Sequence, residues 1–146
     1  MSTPALGIDV GSVRVGMAGS DPTGTIASPL TVVPRNPAAR LWTRIDALVR
    51  ERLPERIVVG LPRRLDGTEG DVAADARVFA AEVGRRTGLP VEMWDERFTT
   101  AAAERSMIAA GTRRADRRAT IDAVAASLLL QSWLDNRERA RRDEAG

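Results

Sequence analysis

The pattern of apolar and polar positions predicts a chain that starts with three short strands and then alternates helices with strands. Strands are predicted at about 5–10, 14–19 and 25–33, the last of them broken by Pro29. Helices are then predicted at about 37–52, 71–87, 99–110 and 118–141, and further strands at 56–60 and 91–94. The order βββαβαβαα indicates an α/β fold in which three antiparallel strands lead into βα units.

The first strand carries one carboxylate in an otherwise apolar run. Alternate side chains of a strand face opposite ways, so Leu6, Ile8 and Val10 are predicted to enter a core. Asp9 then leaves from the other face, and glycines on both sides of it keep the neighbouring space open to a metal ion or a phosphate. We therefore expect Asp9 on the floor of an active site. The alternative is an Asx turn, in which this carboxylate only accepts the following backbone amides.

Composition limits the chemistry of such a site. The chain has no His, Cys or Tyr, and all 22 of its basic residues are Arg. Imidazole bases, thiolate nucleophiles, the common zinc sites and Schiff-base lysines are therefore excluded. Carboxylates that hold a hard divalent cation are the strongest catalytic set that remains, so we expect Mg²⁺.

Two further acids follow predicted elements. Glu96 comes directly after the strand at 91–94, where α/β sheets place their chemistry, and Asp122 opens the final, largely apolar helix. An acid there is costly unless it is paired or coordinated, so Asp9, Glu96 and Asp122 could converge. The alternative is that Glu96 and Asp122 only interact favourably with helix N-termini. Strand alternation does not settle whether Asp95 or Glu96 faces the site.

Arginine-rich segments suggest a nucleic-acid partner, although the formal net charge is only +2. In the loop 61–70, Arg63, Arg64 and Thr68 could contact a nucleic-acid backbone, but a plain βα connection would look much the same. Arg97 would either hold the scissile phosphate or neutralise neighbouring acids. The tryptophans lie in apolar patterns and are predicted to belong to the core rather than to stack on bases.

The length of 146 residues fits one domain, with a core at about 5–135 and a basic helix end or tail at 136–146. The N-terminus does not have the pattern of a signal peptide. The apolar stretch 121–134 is shorter than the ~20 residues that a membrane span requires. We expect a cytoplasmic protein that does not associate with a membrane.

Four segments together resemble the YqgF family of RNase H-like Holliday junction resolvases and pre-16S rRNA nucleases. They are Gly7-Ile8-Asp9-Val10-Gly11-Ser12 with Gly16, Ile57-Val58-Val59-Gly60-Leu61-Pro62 with Asp66-Gly67-Thr68-Glu69, Asp95-Glu96-Arg97-Phe98-Thr99-Thr100, and Ile121-Asp122-Ala123-Val124-Ala125-Ala126. One of these segments alone would be weak evidence. All four in order, across roughly residues 5 to 133, are specific.

The resemblance implies an RNase H-like fold: a five-stranded mixed sheet flanked by helices, with Asp9 on the central strand. It implies that Asp9, Glu96 and Asp122 bind Mg²⁺ or Mn²⁺ and hydrolyse phosphodiester bonds. The family commonly has lysines before the acid of its final helix, where this chain has Arg117 and Arg118. The positive charge is kept, but arginine stays protonated and is unsuited to proton transfer.

The first functional hypothesis is a metal-dependent nuclease that acts on structured RNA in 5′-end maturation of pre-16S rRNA, ahead of resolution of branched DNA. The second is a nucleotide-binding domain of the actin and sugar-kinase type, whose phosphate loops read similarly. That architecture clamps ATP between two such domains, and this chain supplies one. A nucleic-acid-binding module without activity is a weaker third. The sequence leaves open whether the protein is a monomer or a homodimer.

Overall fold

The computed structural model describes residues 3–99 and 117–145. The strands are β1 (Ala5–Val10), β2 (Arg14–Ser20), β3 (Ala27–Pro34), β4 (Arg56–Leu61) and β5 (Val91–Asp95). The helices are α1 (Ala38–Arg52), α2 (Asp71–Thr87) and α3 (Arg117–Ala145), and a short 3₁₀ turn, Glu96–Phe98, follows β5. The helix predicted at 99–110 lies outside the described residues apart from its first position, and so do the side chains of Arg117 and Arg118.

The strands form one five-stranded mixed sheet in the order β3-β2-β1-β4-β5. The strand β1 lies at the centre, antiparallel to β2 and parallel to β4. The predicted five-stranded mixed sheet with Asp9 on its central strand is therefore confirmed.

The two faces of the sheet are covered differently. On one face, Leu6 and Ile8 of β1 pack with Ile45 of α1 and Val83 of α2. On the other face, α3 packs against small and apolar strand residues. This second cluster contains Ala5, Ala18, Val58, Ala126, Leu130, Trp133 and Leu134. Because strand side chains alternate, Asp9 lies on the α3 face.

A close approach of α3 to the sheet depends on Gly16. This glycine of β2 is the antiparallel partner of Asp9, and a Cβ atom added to it would overlap the backbone carbonyl of Asp122. The helix therefore rests directly on the sheet backbone at this point. As a result, Asp122 lies above the strand pair that carries Asp9.

The strand β3 begins two residues later than predicted. The Asp21 carboxylate accepts hydrogen bonds from the amides of Thr25 and Ile26, at 2.7 and 2.9 Å. These amides are therefore used by a turn and are not available to the sheet. The prediction of a strand from residue 25 was wrong for this reason, and β3 starts at Ala27.

Pro29 does not break β3. The pairing with β2 shifts between Met17, which faces Thr31, and Ala18, which faces Pro29, so that Leu30 is an extra residue in the ladder. Proline has no backbone N–H to donate. It is tolerated in β3 because β3 is an edge strand with a neighbouring strand on one side only. The predicted break is a bulge in a continuous strand.

The last helix continues to Ala145, beyond the predicted end at 141. The basic segment 136–146 is thus a helical extension of α3 rather than a loose tail, up to the last described residue. Within the described ranges, no helix has the length and apolarity that a membrane crossing requires.

Candidate active site

The structure brings Asp9 and Glu96 into contact. Asp9 leaves the central strand on the α3 face, and Glu96 is the first residue of the 3₁₀ turn after β5. The two carboxyl groups lie within hydrogen-bonding reach of each other. Both groups are partly buried.

The surroundings of this pair make a second negative charge costly. Burial, the largest effect, raises the pKa of Glu96 to about 7, and the charge of Asp9 adds to it. Burial also raises the pKa of Asp9, and the charge of Asp122 acts in the same direction. Glu96 therefore titrates near neutral pH, beside an Asp9 carboxyl group whose pKa is also raised.

Glu96, and not Asp95, faces Asp9. Asp95 is buried on the other side of the turn, where it accepts a hydrogen bond from the Arg97 amide at 2.9 Å and one from Arg97 Nη2 at 2.7 Å. These bonds hold the pKa of Asp95 below its usual value. Glu96 packs over Gly60, where an added Cβ would lie 2.7 Å from Glu96 Oε1. A glycine at this position is what admits the Glu96 side chain.

Asp122 lies near the pair, but its carboxylate is paired with an arginine. Arg14 Nε donates to Asp122 Oδ2 at 2.7 Å. In the residues that the structure describes, no three acidic side chains lie close enough together to enclose a metal ion. Asp122 also stands at the sixth position of α3 as the structure describes it, rather than at its first residue.

Sequence reasoning missed Arg14, although strand alternation could have found it. Arg14, Gly16 and Ala18 share one face of β2, and Gly16 is the partner of Asp9 in the sheet. Arg14 therefore lies on the same face as the acids.

A cavity of about 180 Å³ opens beside the acid pair. Asp9 and Glu96 form its polar wall, and Leu128 and Leu129 of α3 form its apolar wall. The pair thus borders open space rather than packed side chains.

Arg64 and Thr68 are held within the loop that contains them. The Arg64 amide donates to the Thr68 carbonyl at 2.9 Å, and the Thr68 amide donates to Asp66 Oδ1 at 2.9 Å. Gly67, with a φ of 89°, provides the left-handed residue that this turn requires. The sequence-predicted binding residues Arg64 and Thr68 therefore have a structural role in the turn.

Arg63 and Arg97 converge on Asp95. Arg97 makes the bonds described above, and Arg63 Nη1 lies 3.7 Å from Asp95 Oδ2. Arg63 also pairs with Glu69, at 3.5 Å. The two guanidinium groups thus lie beside Asp95, the residue that precedes Glu96.

The raised pKa of Glu96 predicts how the stability of the metal-free protein depends on pH. An unfolded Glu titrates near 4.5 and the folded one near 7, so the folded state binds the proton more tightly. This contribution to the free energy of unfolding is fully present below pH 4.5 and is lost as pH rises through 7. We expect the thermal midpoint in chelator to fall between pH 5 and 7.5, and to fall less in Glu96→Gln. The control is Glu51→Gln on the surface of α1; equal slopes for both variants would contradict the assignment.

The model of the RuvX family, described as Holliday junction resolvase, matches residues 3–136. The chain belongs to this family. RuvX is the YqgF family predicted from the sequence, so that prediction is confirmed.

Relatives of the chain carry a nuclease name. A protein from Mycolicibacterium paratuberculosis is 49% identical over 97% of this chain and 84% of the relative. One from Pelotomaculum thermopropionicum is 45% identical over 97% of this chain and 92% of the relative. Both are named "Putative pre-16S rRNA nuclease". With the family, they confirm the prediction of a nuclease and disfavour the actin-like alternative.

Solved structures support the fold. RuvC from T. thermophilus, in complex with a Holliday junction substrate, matches 93% of this chain and 96% of its own, with a TM-score of 0.60 and 17% identity. The Fowlpox virus resolvase, in complex with Holliday junction DNA, matches 91% of this chain and 97% of its own, with a TM-score of 0.51 and 14% identity. These likenesses confirm the predicted RNase H-like fold.

Proposed function

We propose that this RuvX-family chain is a divalent-metal-dependent nuclease that acts in 5′-end maturation of pre-16S rRNA, with Asp9, Glu96 and Asp122 as its acidic residues. The observation that carries the proposal is the Asp9–Glu96 pair, two partly buried neighbouring carboxyl groups at the edge of a cavity, both with a raised pKa. Two neighbouring carboxyl groups repel each other when both are charged, so this arrangement does not stabilise the fold as an ion pair would. It suits a site that binds cations.

Two of the three proposed ligands, Asp9 and Glu96, are placed to bind Mg²⁺ or Mn²⁺. Asp9 and Glu96 offer hard oxygen ligands whose mutual repulsion a divalent cation would relieve. Asp122 Oδ2 is paired with Arg14, so Asp122 would join them through Oδ1 or by exchanging that contact. When bound, such ions polarise a phosphoryl oxygen and activate a water.

The other residues of the site orient the acids and supply positive charge. Asp95 accepts a hydrogen bond from the Arg97 amide and thereby stabilises the turn that places Glu96 beside Asp9. Arg63 and Arg97 provide guanidinium groups beside that turn, and Arg64 and Thr68 lie in the adjoining loop. We propose that these four residues contact the nucleic-acid backbone. Arginine recognises phosphate by paired hydrogen bonds.

The proposed substrate comes from the names of the relatives, and the family description supports a second candidate, branched DNA. Purified protein with Mg²⁺ or Mn²⁺ should cut a 16S rRNA precursor near its 5′ end, and chelator should stop the cut. A four-way DNA junction tested in parallel decides between the candidates. Cleavage of the junction alone would contradict the rRNA proposal, and cleavage of neither would contradict both. An rRNA substrate would also place the protein in the cytoplasm, where ribosomes are assembled.

Arg14 is expected to compete with the metal for Asp122. Exposed and half-exposed ion pairs contribute about 0.2–1 kcal/mol, so Arg14→Gln should tighten Mn²⁺ binding by up to roughly fivefold. Titration calorimetry or the paramagnetic resonance signal of free Mn²⁺ measures this without any cleavage assay. Arg44→Gln, an exposed arginine of α1, is the control. Weaker Mn²⁺ binding in Arg14→Gln would show that Arg14 holds Asp122 in place for the metal.

A further inference from the structure

A second groove lies next to the cavity of the acids. Its volume is about 320 Å³, and its lining includes Trp94 of β5, Phe98 of the 3₁₀ turn and Leu128 of α3. Leu128 also lines the cavity that contains Asp9 and Glu96. The two hollows are therefore neighbours along α3, and a chain that enters one could continue into the other.

The groove has an aromatic wall that is held in a fixed position. The rings of Trp94 and Phe98 meet edge to face, with centroids 5.3 Å apart and planes at 61°. Ser132 on α3 accepts a hydrogen bond from Trp94 Nε1 at 3.1 Å and donates one to the Phe98 carbonyl at 3.0 Å. Ser132 thus ties both aromatic residues to the helix.

Phe98 is an apolar residue with a largely exposed surface. Its side chain is 55% exposed, whereas Trp94 is half-buried against the core. Exposing a phenylalanine to water is unfavourable, and here the ring is supported from behind by Trp94. An exposed aromatic face of this kind is a typical platform for a nucleobase.

The charges around the groove favour a base over a phosphate. Asp135 and Arg139 both lie on its lining, so opposite charges balance there. The lining therefore has no net charge to attract a phosphate, whereas a base can stack on Phe98 and meet polar edges from α3.

We propose that this groove binds one unpaired nucleobase of the substrate strand, next to the phosphate that is cut, with Phe98 as the stacking platform. The proposal rests on the proposed nuclease function and adds a requirement for unpaired substrate at that nucleotide. A paired base cannot stack on a protein side chain without leaving its duplex.

Oligonucleotide binding, measured in the presence of a chelator, tests this proposal without a cleavage assay. The probes are a single-stranded oligoribonucleotide, the same strand with one abasic position, and the fully paired duplex. Stacking on an aromatic side chain contributes about 1–3 kcal/mol per base, so Phe98→Leu should weaken single-strand binding by roughly 5- to 150-fold. Phe98→Tyr keeps an aromatic face and should bind like the wild type.

The abasic probe separates stacking from a structural role of Phe98. Scanning the abasic position along the strand should reveal one site where wild-type binding weakens by a similar factor and Phe98→Leu adds nothing further. Val78→Ala, at an exposed position of α2, is the control. Equal binding by wild type and Phe98→Leu, or no sensitive abasic position, would overturn the proposal and leave a protein segment as the occupant of the groove. Because no cleavage is measured, a failure of the nuclease function would appear separately in the precursor assay.

Discussion

Replacing Asp9 by asparagine is expected to lower phosphodiester cleavage by at least about a thousandfold, since metal-assisted stabilisation of the transition state contributes several kcal/mol. Asp9 stands on the central strand, beside Glu96 and on the face of the sheet that α3 covers. Initial rates on the precursor rRNA with saturating Mn²⁺ measure the loss.

The same substitution should not damage the fold. Asparagine removes one of two carboxyl groups that repel each other, so the thermal midpoint in chelator at pH 7.5 should match or exceed that of the wild type. Asp46→Asn, an exposed acid on α1, controls for the Asp-to-Asn change itself. Full cleavage by a folded Asp9→Asn protein would remove Asp9 from the reaction and with it the proposed site.

Much of the fold could be predicted because local patterns agree with the tertiary structure. The strand at 5–10 and the helix at 71–87 have the predicted bounds, since alternation and helical spacing there match one buried face each. The start of β3 could not be predicted from hydrophobicity. It depends on a side-chain turn at Asp21, which uses amides that the pattern would assign to the strand.

The pairings within the candidate site could not be predicted from the sequence. Strand alternation left open whether Asp95 or Glu96 faces the site, and the structure has Glu96 beside Asp9. Alternation does not give side-chain rotamers or the ion pairs they form. The Arg14–Asp122 contact joins residues 108 positions apart and follows from the seating of α3 on the sheet.

The close contact of α3 with β2 predicts a large loss of thermal stability in Gly16→Ala. The added Cβ would overlap the Asp122 carbonyl, a helix backbone atom that cannot move without shifting α3. Overpacking of a well-packed interior costs about 1–3 kcal/mol and occasionally more, and here we expect the upper end, a fall in thermal midpoint of roughly 10 °C. Because α3 carries Asp122, Mn²⁺ binding should weaken in the same variant.

Gly84→Ala provides the matched control with the opposite sign. Gly84 lies in α2, and an added Cβ would meet Val91 at an ordinary 3.4 Å. Alanine in a helix interior is more favourable than glycine by about 0.5–1 kcal/mol, so this variant should be slightly more stable than the wild type. Thermal unfolding of both variants, followed by Mn²⁺ titration, separates a general glycine effect from the contact at Gly16. If Gly16→Ala unfolded like the wild type, α3 would not rest on β2 as described, and the approach of Asp122 to Asp9 would lose its structural basis.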